Sequence, residues 1–161
     1  MSDFYTAWSL SRGRFLAELE GLTHQQLAWR LYPGSLTLAE AALHVAAIEV
    51  KFGSSILGQT PEGELARITA AATDGVVNDN PFPFTEQEMT PEFVKEALAS
   101  AKAVIEPALL DPNAERRSVT MVSALGPVIT GEGAMARLAF HAAYHQGQAY
   151  MMKNAPGFPF S

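Results

Sequence analysis

The sequence predicts an all-α protein folded as a four-helix bundle. Two observations point to it. Four long stretches rich in Ala and Leu carry apolar residues at three- and four-residue spacing. Pro- and Gly-rich connectors separate them, and the single strand-like run, SVTMV, has no partner in view. The chain has 161 residues, which suits one domain, 1–161, with a real core.

The first helix is expected from Asp3 to Leu22, because Phe4, Trp8, Phe15, Leu19 and Leu22 make one apolar face. A connector with Tyr32-Pro33-Gly34 at its tip follows. The second helix opens at Thr37, where Thr37-Leu38-Ala39-Glu40 has the pattern of a capping box. It runs through ALHVAAIEVKF to Leu57, before Gly58. The connector 59–85 carries a short helix over 62–71 and then Asn80-Pro81-Phe82-Pro83-Phe84, which is non-helical.

Thr90-Pro91, a cap followed by proline at the first helical position, opens the third helix. Pro107 is expected to kink it or end its regular part, and Asp111-Pro112-Asn113 closes it. Residues 114–129 read as an ordered loop. The fourth helix follows Thr130 and ends near Asn154, before Pro156 and Pro159. The apolar tail GFPF is expected to pack on the body or on a partner. The connectors are longer than hairpins need, so at least one helix crosses over.

Seventeen acidic against eleven basic residues give a net charge of −6, which disfavours nucleic acid as a partner. The basic residues Arg12, Arg14, Arg116 and Arg117 read as solvated surface. No cysteine is present, so disulfides, thiolate nucleophiles and cysteine metal sites are excluded. The start, MSDFYTAWSL, lacks a basic region and a long apolar run and does not read as a signal peptide. No apolar stretch reaches the ~18 residues of a membrane span. A cytoplasmic location is the expectation.

The chemistry-bearing motif is HAAYHQGQ, residues 141–148. His141 and His145 lie one turn apart on one helix face and can bind a single ion. Two histidines that merely share a face are the plainer reading of an isolated HxxxH. Two facts count against it. The surroundings, LAFHAAYHQGQAYMM, are almost free of charge, and a buried imidazole needs a partner. His44 sits in similar apolar surroundings, ALHVAAIE, on the second helix. His44 lies ~10 Å from the start of its helix and the other two ~15 Å from the end of theirs. In antiparallel neighbours the three imidazoles come within about one turn; in parallel ones the mismatch roughly doubles. Three imidazoles leave a fourth tetrahedral position open, the pattern of a catalytic metal site. Position 142 is Ala, so the HExxH of metalloproteases is absent.

The segments WRLYPGSLTLAEAALH, ALHVAAIE and AFHAAYHQGQ, in this order and spacing, resemble the DinB family from the first helix to about Met152. The resemblance implies a bundle of up-down-down-up topology with long crossover connections, and a homodimer. It implies one divalent metal ion held by His44, His141 and His145: zinc or nickel first, iron or manganese as alternatives. It also implies a small-molecule substrate and, in some relatives, a low-molecular-weight thiol cosubstrate such as bacillithiol or mycothiol. The family name refers to DNA-damage induction, a stress response, and concerns expression. The expected function is a metal-dependent thiol S-transferase. The alternatives are a non-catalytic metal-binding or sensor bundle, and a plain bundle with incidental histidines.

Other residues are weighed beside these. Arg137 and Gln148 share the histidine stripe and are candidates to touch substrate or the metal's surroundings. For Arg137 an ion pair with a bundle carboxylate is the favoured alternative. Glu40 could accept a ring N–H of His44, but capping explains it more simply. Glu49 reads as solvated surface. Tyr144 is expected in the core or a dimer contact. Trp8, Trp29, Met151 and Met152 are expected in the core, and His24 at an exposed helix edge. Loops 59–85 and 113–130 show no legible motif.

Overall fold

The four expected long helices form in the computed structural model, which describes residues 2–160: α1 (Asp3–Leu19), α3 (Leu38–Leu57), α5 (Pro91–Leu110) and α7 (Gly131–Lys153). Each starts on a hydroxyl. Ser2, Thr37, Thr90 and Thr130 accept hydrogen bonds from the amides of Tyr5, Glu40, Phe93 and Gly133. The Thr37–Glu40 capping box is complete, and Gly58 in the left-handed region ends α3 (φ 64°). Pro107 lies inside α5 without ending it, and the helix continues to Leu110.

α1 stops three residues earlier than its apolar spacing suggests. Gly21 turns the chain at φ 73°, and a second capping box, Thr23 with Gln26, starts the short helix α2 (His24–Ala28). The connector after α3 carries α4 (Gly63–Ala70). The expectation of a loop over 114–129 is overturned. The helix α6 (Ala114–Ser118) leads into an antiparallel hairpin of β1 (Thr120–Val122) and β2 (Val128–Thr130). The partner of the strand-like run is Val128-Ile129-Thr130, with Met121 opposite Ile129. A three-residue strand is too short to show periodicity by itself, so the pairing was invisible locally.

Side-chain contacts fix the helix directions. Tyr5 near the start of α1 bonds Glu106 near the end of α5, and Arg12 reaches the Leu98 carbonyl, so α1 and α5 are antiparallel. Glu18 near the end of α1 meets Gln146 and Lys153 late in α7, so these two run parallel. A Cβ placed on Gly53 would stand 3.0 Å from the Ile105 Cα, and Glu49 shares Arg12 with Leu98, so α3 and α5 are parallel. The order is up-down-down-up, and α3 is antiparallel to α7.

α3 is the central helix: seventeen of its twenty residues are buried, as its nearly uniform apolar composition demands. Of its two buried acids, Glu40 and Glu49, the second corrects two expectations. Glu49, read as surface, is 1 % exposed. It accepts hydrogen bonds from Trp8 Nε1 at 2.9 Å and from Arg12 Nε at 2.9 Å. Arg12, also read as surface, is 6 % exposed. Burial pushes the Glu49 carboxyl up, and the Arg12 charge pulls it back. Neither residue's type shows this; only the juxtaposition of α1 and α3 does. Trp8 and Met152 are buried as expected, Trp29 is half-buried, and Met151 is exposed instead of core. The tail packs on the body as expected: Phe158 is buried edge-on against Trp29, and the Pro159 carbonyl accepts from Gln26. Among the described residues no helix is long and apolar enough to cross a membrane.

Candidate metal centre

The antiparallel pairing of α3 and α7 brings His44, His141 and His145 together. His141 Nε2 stands 3.2 Å from His44 Nε2 and 3.2 Å from His145 Nε2. One ligand atom from each lies within 4.8 Å of the others. Three nitrogens bound tetrahedrally at about 2.0–2.1 Å would stand roughly 3.3 Å apart. The observed spacing therefore fits a single ion of that kind.

Each ring is held differently. His44 donates Nδ1–H to the Ala71 carbonyl at 2.8 Å, which leaves its Nε2 bare and aimed at the other two. His145 is 4 % exposed and lies between Phe15 of α1, with ring centroids 6.5 Å apart, and Tyr144, at 5.1 Å. Its Nδ1 is buried without a hydrogen-bond partner. Burial lowers the pKa of all three. His141 is pushed down to about 2 by burial and by the neighbouring His145 and His44 charges. His145 is pushed down to about 4 by burial and His44, against an opposing contribution from the nearby Gln148 amide. His44 is lowered by burial, opposed by its bond to Ala71. The cluster is thus neutral at physiological pH, the form in which imidazole binds a metal. The donor set, three ring nitrogens without a carboxylate, is one that could hold a metal ion.

Two cavities open on the cluster. The larger, about 960 Å³, runs over His141 and His145 between the Tyr32 loop and α7. The smaller, about 150 Å³, lies along α3 and α7 beneath the β1–β2 hairpin and reaches His44 and His141. Tyr144 is not in the core; it is exposed and lines the larger cavity with Gln148, itself exposed. Arg137 is half-buried in the smaller cavity. The carboxylate partner favoured for it is absent: it makes no ion pair among the described residues.

Glu40 does not touch His44. Its Oε2 accepts from the Thr37 amide at 2.7 Å and its Oε1 pairs with Arg30 at 2.8 Å. The orienting acceptor of His44 is instead the carbonyl of Ala71, at the end of α4. A backbone group carries no residue-type signal, so sequence reading could not find it. His24 is half-buried, and its Nε2 lies 2.7 Å from the Glu86 carbonyl, away from the cluster. Ser123, buried in the turn of the hairpin, was missed because residues 113–130 showed no motif.

An all-α bundle with three histidines converging from two antiparallel helices beside an open groove defines a class: helical proteins with a site that can hold a metal ion. A family model described as mycothiol-S-transferase matches residues 7–155. The chain belongs to this family of DinB-like proteins. No curated protein matches. A solved structure, described as the conserved protein of a locus from Enterococcus faecalis, shares the fold with a TM-score of 0.67 at 16% identity, covering 95% of this chain and 96% of that one.

Proposed function

We propose that the protein is a metal-dependent thiol S-transferase. In this reading His44, His141 and His145 hold one divalent ion, zinc or nickel, and the cosubstrate is a low-molecular-weight thiol of the mycothiol kind. The observation that carries the reading is the convergence of three neutral ring nitrogens at the floor of a groove. Family membership supports the reaction class. The chemistry a bound ion supplies is Lewis acidity, which lowers the pKa of an incoming thiol and raises its thiolate fraction.

The chain's own residues do the rest. The Ala71 carbonyl fixes the His44 tautomer and points Nε2 inward. Phe15 and Tyr144 stand near the His145 ring, with centroids 6.5 and 5.1 Å away. The groove is wide enough for a polar thiol, and Gln148 on its wall offers an amide to it. The chain has no cysteine, which is compatible with a sulfur nucleophile brought in by the cosubstrate. In the transfer, the thiol loses its S–H proton to solvent, the sulfur forms an S–C bond to the electrophile, and the electrophile's carbon–leaving-group bond breaks so that the leaving group departs with its electron pair into the groove. The groove over His141 and His145 speaks against a sealed sensor site.

Elemental analysis of untagged protein beside His141→Ala is the test. Stoichiometric divalent metal in the wild type, lost in the variant, together with conjugation of a mycothiol-type thiol to an electrophile, is the expected result. No metal after soaking, or transfer that survives complete metal removal, refutes it. A homodimer belongs to the same proposal, and light scattering in solution reads it directly.

A further inference from the structure

The smaller cavity carries features the metal reading does not use. Arg137 lines it without an ion pair or a side-chain hydrogen bond to any described residue. Ser123 lines it too; the residue is 3 % exposed, and its Oγ has no hydrogen-bond partner. A half-buried guanidinium and a buried hydroxyl that both lack partners are costly features. Neither cavity at the cluster is lined by a carboxylate. In a chain of net charge −6 this spot is locally cationic, and a bound divalent ion would make it more so. The remaining wall is apolar, with Ile48 and Phe52 from α3, Leu125 from the hairpin and Phe140 from α7.

We propose that this cavity is a subsite for a small organic acid with an apolar body, its carboxylate received by the Arg137 guanidinium and the Ser123 hydroxyl. A guanidinium presents a planar pair of N–H donors that matches a carboxylate, and a hydroxyl adds a third donor. Ile48, Phe52, Leu125 and Phe140 cover the apolar body. A volume of about 150 Å³ limits that body to roughly one ring or a short chain. Arg137 is one turn before His141 on α7, and the cavity that it lines reaches His44 and His141. The carboxylate subsite stands on these residues alone. Its role, to hold the carboxylate of an acid whose electrophilic carbon lies elsewhere in the molecule, rests on the S-transferase reading.

The test compares benzoate with its neutral isostere benzamide by isothermal titration, on protein as purified and after chelation. Benzoate is expected to bind about tenfold or more tightly than benzamide, with or without chelator. Arg137→Gln should abolish that preference while leaving metal content and melting temperature unchanged. Arg137→Lys should keep part of it, since charge remains but the fork is lost. Ser123→Ala should reduce it about threefold. Equal binding of the two probes overturns the proposal, as does a preference that survives Arg137→Gln. A preference that vanishes with chelator also overturns it, because the carboxylate then sits on metal. Inorganic phosphate binding as tightly as benzoate overturns the organic acid. None of these readouts depends on turnover, so failure of the transferase reading and failure of the subsite are told apart.

Discussion

Acid should destabilise the metal-free protein through its histidine cluster, and the size of the effect follows from the site. His141 and His145 have pKa values near 2 and 4 in the fold, lowered first by burial. In the unfolded chain both return to about 6.5. Below that value the unfolded state takes up protons that the folded state refuses, so stability falls as pH falls. Above about pH 7 neither group contributes to this slope. At about pH 5 each has cost roughly 2 kcal/mol, together roughly 4 kcal/mol, from the difference in proton uptake. That is a large part of the roughly 5–15 kcal/mol typical of a domain. Urea denaturation in chelator, from about pH 8 to about pH 5, measures it. The control is the double variant His141→Asn/His145→Asn, which keeps every other titrating group. The wild type should lose about 4 kcal/mol more than the control across this range. Curves that run parallel within about 1 kcal/mol would show that the rings are solvated or spread apart in solution, and the convergence argued above would be wrong.

Three further outcomes are expected. Arg12→Met strands the buried Glu49 carboxylate beside Trp8 and should cost about 3–5 kcal/mol in denaturant unfolding; adding Glu49→Gln should recover much of it. Gly131→Ala would place a Cβ 2.0 Å from the Arg116 carbonyl, a backbone contact that cannot yield cheaply, and should destabilise by about 1–3 kcal/mol, whereas Gly147→Ala on the same helix meets open space and should stabilise by about 0.5–1 kcal/mol. Phe158→Ala removes the edge-on partner of Trp29 and should cost about 3 kcal/mol, with a melting curve as the measure and no change in metal content; an unchanged melting temperature would mean that the tail does not pack in solution.

Local chemistry and periodicity determined much of this protein without tertiary information. Thr37, Thr90-Pro91, Thr130 and Gly58 mark helix ends because capping involves only a few neighbouring residues, and all four stand where the structure has them. His44, His141 and His145 were legible because an HxxxH spacing and a lone imidazole on an apolar helix are themselves unusual. Only the tertiary structure decided the rest. The resemblance implied the antiparallel pairing of α3 and α7, but the closure of the three nitrogens to 3.2 Å contacts depends on how the helices pack. The Ala71 carbonyl behind His44 is backbone and has no compositional signature. Glu49 and Arg12 look like ordinary surface charges until α1 and α3 bury them together. The β1–β2 hairpin is too short to announce itself, yet it roofs the cavity where Arg137 stands unpaired. Sequence patterns report what a residue needs from its near neighbours; partners a hundred residues away are assigned only when the chain has packed, because burial and pairing are properties of the assembled bundle.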